Sequence, residues 1–293
     1  TSLNNLAELY WFQGRYEKVE PLYERSLQIC EEQLGANHPN TASILNNLAL
    51  LYKSQGRYEK AEPLYERSLQ IREEQLGASH PDTAQSLNNL AGLYQSQGRY
   101  EKAEPLYERS LQIKEEQLGA NHSSTATSLN DLAGLYESKG RYEEALPLRE
   151  RSLEIYEKQL GENHPFTATS LNNLAGLYRS QGRYEKAEPL YERSLQIKEE
   201  QLGANHPSTA DSLNNLAILH YSQSRLGDSE KYMARALSIC LESLGQDHPD
   251  TQSSSQDLTA IITAAVNQGR TAELSDHPLT QSILQQLQNQ SPS

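Results

Sequence analysis

Six histidines, His38, His80, His122, His164, His206 and His248, recur at intervals of 42 residues. Histidine is the side chain whose type alone suggests a metal ligand or a general base, but the spacing argues against both. Each falls in the same loop of a separate copy of one motif, so neighbours stand a whole repeat apart, whereas metal ligands converge to about 2 Å from one ion. A use nearer the backbone fits better: each precedes the residue that opens an apolar periodic run, where its ring can cap the new helix. The acidic pairs, such as Glu115-Glu116, face no matching acid or base and belong to a solvated helix face. No Gly-rich phosphate loop, no Ser/His/Asp or Cys/His grouping and no Cys/His metal spacing is found in the chain. The expectation is a protein that is not an enzyme, with no catalytic residue, metal or cofactor.

The amides point elsewhere. Asn46-Asn47, Asn88-Asn89, Asn130-Asp131, Asn172-Asn173 and Asn214-Asn215 fall in one register. Each pair places donors and acceptors at one level of the repeat, which suits the alternating N–H and C=O groups of an extended peptide. For the second member of each pair an internal use is equally open: a ladder that ties neighbouring helices together. Gly92, Gly134 and Gly176 lie on the same side. A mid-helix glycine costs roughly 1 kcal/mol against alanine, so three in register imply a use, and the missing side chain would deepen a groove floor that Glu8, Leu50 and Ile218 fill in other copies. Duplication explains identical copies by itself, so differences between copies carry more weight. One site reads Trp11, Lys53, Gln95, Glu137, Arg179 and Tyr221 in successive copies, as a surface that reads its ligand by position would.

These residues require a frame. In the copy that begins near Thr83, Leu87, Leu90, Ala91 and Tyr94 share one face at 100° per residue, which predicts a first helix, A, closed at Gly98. A second run through Tyr100, Ala103, Leu106, Tyr107, Leu111 and Ile113 predicts helix B, ended by Leu118-Gly119, and Pro81 marks the first helical position of the copy. Pro105, about one turn into helix B, predicts a mild bend. Tyr94, Tyr100 and Tyr107 fall on buried faces. Arg149 stands where Tyr107 and Tyr191 stand in neighbouring copies, which should loosen packing unless its stem snorkels outward and Tyr156 fills the gap.

The spacing Leu87, Leu90, Ala91, Tyr94, Gly98, Tyr100, Ala103, Tyr107, Leu111 resembles the tetratricopeptide repeat, usually of about 34 residues. With its 42-residue period and the string NNLA-LY--QGRYEKAEPLYERSL-I-E--LG--HP, the chain is similar to the kinesin light chain subgroup and its bacterial relatives over about residues 1–250. The resemblance implies an all-α, right-handed superhelical solenoid whose concave wall is made by the A helices. It also implies that the paired asparagines contact partner peptides. Kinesin light chains accept acidic peptides in a basic groove, whereas the wall read here carries Lys53 and Arg179 against Glu8, Asp131, Glu137 and Asp211, so a preference for acidic cargo is in doubt.

Six repeats are expected over 1–251, the first truncated at its start because Thr1 falls inside a repeat. A seventh A helix is readable from Gln256 to Gly269. Residues 252–293 would be a degenerate seventh repeat, a capping helix and a polar tail, which a stack of repeats needs to cover its last apolar face. The net charge of −13 disfavours nucleic acid and anionic membrane. No apolar run approaches the ~20 residues of a membrane span, and the two cysteines, Cys30 and Cys240, sit too many repeats apart to pair. The reading is therefore a cytoplasmic, monomeric scaffold for a protein or peptide partner. The alternatives are a weakly self-associating structural array or the sensor arm of a larger protein.

Overall fold

The structure, a computed structural model, describes residues 2–12 and 15–290. Thr1 and the side chain of Glu8 lie outside the described residues. Helices follow one another throughout: α1 (Ser2–Phe12), α2 (Tyr16–Leu34), α3 (Pro39–Ser54), α4 (Tyr58–Leu76), α5 (Pro81–Ser96), α6 (Tyr100–Leu118), α7 (Ser123–Ser138), α8 (Tyr142–Leu160), α9 (Pro165–Ser180), α10 (Tyr184–Leu202), α11 (Pro207–Ser222), α12 (Leu226–Ser243), α13 (Pro249–Asn267) and α14 (Pro278–Gln290). No strand occurs among the described residues, and no helix is long and apolar enough to cross a membrane. The chain divides into two compact units, Thr1–Ile155 and Tyr156–Ser293, with the division inside α8.

Local chemistry explains the regularity. His80 Nδ1 accepts the N–H of Asp82 at 3.1 Å, and His38, His122, His164, His206 and His248 do the same for Asn40, Ser124, Phe166, Ser208 and Asp250. Helices α3, α5, α7, α9, α11 and α13 therefore each start on a histidine N-cap. Gly98, at φ +71°, turns the chain from helix A into helix B, a conformation that costs other residues strain. Helix α6 continues through Pro105, which is exposed.

Within a repeat the two helices close on alanine and leucine: Leu87, Leu93, Ala91 and Ala103 have no exposed surface. A serine on helix B seals the joint, as where Ser110 Oγ donates to the Ala84 carbonyl at 2.8 Å. Successive layers of the first unit are tied by ion pairs. Arg57 meets Glu20 at 2.6 Å and Arg99 meets Glu62 at 2.7 Å, while their guanidinium groups lie over Tyr52 and Tyr94. The Tyr52 hydroxyl donates to Glu20 at 2.9 Å, and burial pushes its pKa up to about 12. Tyr94 and Tyr107 are buried as expected, but Tyr100, at the start of α6, is only half-buried.

The end of the second unit departs from the repeat. Helix α13 begins at Pro249, seven residues before the Gln256 start read from the apolar pattern, because His248 and Pro249 repeat the signal that opens the other A helices. A 3-10 turn, Thr271–Glu273, then crosses Gly227 so closely that a Cβ there would lie 2.5 Å from the Glu273 carbonyl. Fully buried Glu230 accepts from the Ser275 N–H at 2.9 Å and from the hydroxyls of Ser275 and Thr280. These bonds seat α14, whose Leu279, Ile283, Leu284 and Leu287 pack on Met233, Leu237, Leu258 and Ile261.

Candidate functional site

The face of the A helices opposite their leucines holds the residues singled out in the sequence. In the first unit, Asn89 Nδ2 donates to Asn46 Oδ1 at 2.6 Å, joining α5 to α3. Asn88 Nδ2 donates to Asp131 Oδ2 at 2.7 Å, joining α5 to α7. In the second unit Asn215 Nδ2 donates to Asn172 Oδ1 at 3.0 Å, joining α9 to α11. The amides thus form the interlayer ladder, the internal use left open above. A primary amide has two donors and an acceptor with two lone pairs, so one ladder bond leaves capacity over. Asn88 is buried, whereas Asn46, Asn47, Asn89, Asn130, Asn172, Asn173 and Asn214 are half-buried. The Oδ1 atoms of Asn88 and Asn214 are buried without a hydrogen-bond partner.

The variable site separates into bonded and open members. Gln95 accepts the Tyr107 hydroxyl at 3.0 Å and donates to Ser138 at 3.1 Å. Glu137 accepts Arg149 Nε at 2.7 Å, and Arg149 Nη1 donates to Asn130 Oδ1 at 3.0 Å. Arg149 is 7% exposed: its stem does not snorkel outward, the alternative set against loosened packing in the sequence. The guanidinium turns inward because two acceptors on α7 await it there. Tyr156 stacks on Phe166 with ring centroids 5.9 Å apart.

The three glycines face side chains from neighbouring helices. A Cβ on Gly92 would lie 3.0 Å from Lys53 Nζ and 3.2 Å from the Tyr107 hydroxyl. On Gly134 it would lie 3.5 Å from Arg149 Nη2, and on Gly176 3.5 Å from the Tyr191 hydroxyl. Gly92 leaves room for the polar ends of Lys53 and Tyr107, whereas at Gly134 and Gly176 a Cβ would make only ordinary contact with a side chain from helix B.

Three further cations take the same route and were missed in the sequence. Arg72 Nη1 donates to the Asp82 carbonyl at 2.8 Å and to Ser86 Oγ at 3.0 Å, while its Nη2 reaches Ser43 at 3.3 Å. Lys114 Nζ donates to Ser128 Oγ at 2.8 Å, and Lys198 Nζ to the Ser208 carbonyl at 2.9 Å. Each follows a buried tyrosine of helix B by seven residues, on the stripe that faces the A helices. A long cation on a buried stripe was the available signal. Burial lowers the pKa of Lys114 and of Lys53, each offset by the charge of Asp131. Burial raises the pKa of Asp131, against the Asn88 hydrogen bond and the charges of Lys114, Arg149 and Lys53. The charge balance read from the A helices alone therefore undercounts the basic groups.

The open members are few. Leu50 in the first unit is 46% exposed, and Lys53 one turn later is half-buried with no side-chain hydrogen bond or ion pair among the described residues. In the second unit Tyr221 is 44% exposed, Ile218 is half-buried one turn before it, and Arg179 is half-buried on the adjoining A helix. Neither the Arg179 nor the Tyr221 side chain has such a partner among the described residues.

The repeat fold that carries this face is shared with known proteins. The tetratricopeptide repeat model matches residues 1–74, 42–116, 82–158, 124–200 and 167–242. A kinesin light chain with nearly identical TPR-like repeats from Podospora anserina is 28% identical, over 70% of this chain and 98% of that one, at a TM-score of 0.58. BtubC (BKLC) from P. vanneervenii is 24% identical, over 80% of this chain and 94% of that one, at 0.62. A Rap protein complexed with Competence and Sporulation Factor shares the fold at 16% identity, over 91% of this chain and 75% of that one, at 0.58. No curated protein matches the chain in sequence.

Proposed function

The chain belongs to the tetratricopeptide repeat family, and from that premise we propose that it is a non-enzymatic scaffold that binds an extended segment of a partner protein along the A-helix face of its repeats. The observation that carries this reading is the set of side chains the fold leaves open there: Leu50 and Lys53 in the first unit, and Arg179, Ile218 and Tyr221 in the second. An exposed aromatic beside an aliphatic side chain supplies an anchor, since aromatic side chains dominate binding energy at interfaces. The unused donors and acceptors of Asn46, Asn89, Asn172 and Asn215 then lie beside these anchors for a partner's backbone. Bonded residues such as Gln95 and Glu137 hold the wall in shape. The Rap relative, whose structure contains Competence and Sporulation Factor, is an example of a protein of this fold with a bound factor.

The test is affinity selection from a random peptide library on the whole chain, followed by calorimetry on variants. Tyr221→Ser and Leu50→Ser should each weaken the selected peptides, by tenfold or more for at least one of them, while Gln70→Ser on the exposed side of α4 leaves affinity unchanged. Loss of affinity with Gln70→Ser and not with the other two would move the site to the B helices and end this reading.

A further inference from the structure

In five repeats a tyrosine, Tyr10, Tyr52, Tyr94, Tyr136 or Tyr178, stands where the sixth has His220. Tyr52 shows what the tyrosine does: it donates to Glu20, which also holds Arg57 of the interlayer ion pair. In the sixth repeat the imidazole takes that place inside the protein, 1% exposed. It stacks on Tyr232 with centroids 5.2 Å apart and planes 7° apart, and Tyr232 itself replaces the leucine found as Leu64, Leu106 and Leu190. Nδ1 of His220 is buried without a hydrogen-bond partner. Its Nε2 stands 3.9 Å from Glu188, whose carboxylate already holds Arg225 at 2.7 Å.

We propose that this joint of α10, α11 and α12 is an acid-sensitive latch, closed while the His220 ring is neutral and loosened when the ring takes up a proton. A protonated imidazole carries N–H groups on both nitrogens, and the one on Nδ1 would face no acceptor in the closed joint. The charged and titratable groups around the ring are Glu188 from α10 and Arg225, Asp228 and Tyr232 at the start of α12, with Gln223 beside them. Burial is the largest influence and lowers the His220 pKa, Arg225 adds to it, and Glu188, Asp228 and Gln223 oppose it. The sign follows. A histidine that binds a proton less readily when folded contributes stability that is complete above about pH 6.5, the unfolded value, and is lost as pH falls toward the lower folded value. In that window the opening constant rises by up to about tenfold per pH unit. The helix that loosens, α11, carries Ile218 and Tyr221.

Hydrogen exchange resolved by mass spectrometry, corrected for the intrinsic pH dependence of exchange, tests the latch on the whole chain. Three proteins are compared at pH 7.5 and 5.5: wild type, His220→Gln, and the double variant His220→Tyr with Tyr232→Leu, which restores the pair used in other repeats. All other residues are common to the three proteins, so their contributions cancel. The expected result is that protection in α10–α12 of wild type falls at pH 5.5 by several-fold more than in either variant that folds, while α3–α6 respond alike in all three. An equal pH response of α10–α12 in wild type and in the variants overturns the proposal.

Discussion

In the first unit Gln95 and Glu137 each commit their polar atoms to a neighbour, Tyr107 or Arg149, whereas in the second unit Arg179 and Tyr221 project from the corresponding helix positions without one. The frame beneath is the same: a histidine cap, a glycine-closed turn at Gly98 and Gly182, and an amide ladder recur in both. The difference lies in how the variable residue matches what helix B sends between the A helices. Where it sends Arg149, the acid opposite is neutralised and the wall becomes structure. Tyr191 lies against Gly176 in the second unit, and the neighbouring Arg179 stays open. Repeats that agree in almost every buried residue can therefore differ in whether their variable residue serves the fold or remains available to a partner.

The largest expected effect breaks the first unit's wall. Arg149→Leu leaves Glu137 and Asn130 without their donor and should cost about 2–3 kcal/mol, below the roughly 3–5 of a fully buried pair because Glu137 keeps partial access to water. Arg179→Leu should lie within about 0.5 kcal/mol of wild type, as surface changes do. Denaturant titration, with local hydrogen exchange to place the change, measures both, and equal costs would dissolve the contrast between bonded and open members. Next in size, Gly92→Leu must displace Lys53 and Tyr107 and should cost about 1–3 kcal/mol, whereas Gly176→Ala meets only an ordinary contact and should stabilise by up to about 1 kcal/mol. Thermal melting gives the sign of each.

The shared frame should respond equally. His122→Ala and His206→Ala each remove one cap bond, and each should lower stability by about 1 kcal/mol. A cost confined to one unit would show that the caps are not equivalent. The smallest effect is electrostatic. The Arg57 hydrogen bond holds Glu20 below the usual carboxylate range, against the opposing influence of burial. A carboxylate with a depressed folded pKa contributes stability that is present above about pH 4.5 and lost as the pH falls through the folded value. Stability of α2–α4 should thus decline with acid below about pH 4.5, and Glu20→Gln should flatten that decline in a pH series of hydrogen-exchange measurements.

The repeat, its two helices, the caps and the all-α class were legible because each rests on local chemistry with a fixed spacing: His80-Pro81 opens a helix, Gly98 closes one, and Leu87, Leu90 and Tyr94 mark a face. The side chains that cross between helices were not. Arg149, Arg72 and Lys114 belong to helix B in sequence but act on the A helices, and periodicity assigns a residue to a face without saying how far its end reaches. The same limit explains the glycines. An absent Cβ is visible in sequence, but the side chain occupying its space, Lys53 or Arg149, comes from another helix. The ladder from Asn89 to Asn46 was one of two uses open to an amide pair, and the geometry of α3 and α5 was needed to see it.

The central claim, that a partner segment lies on the A-helix face, is tested most directly by photo-cross-linking a selected peptide that carries a benzophenone residue and mapping the attachment by mass spectrometry. The account predicts attachment to α3, α5 or α7 near Leu50 and Lys53, or to α9 or α11 near Arg179, Ile218 and Tyr221. Attachment to the outward sides of α4, α6 or α10 would contradict it.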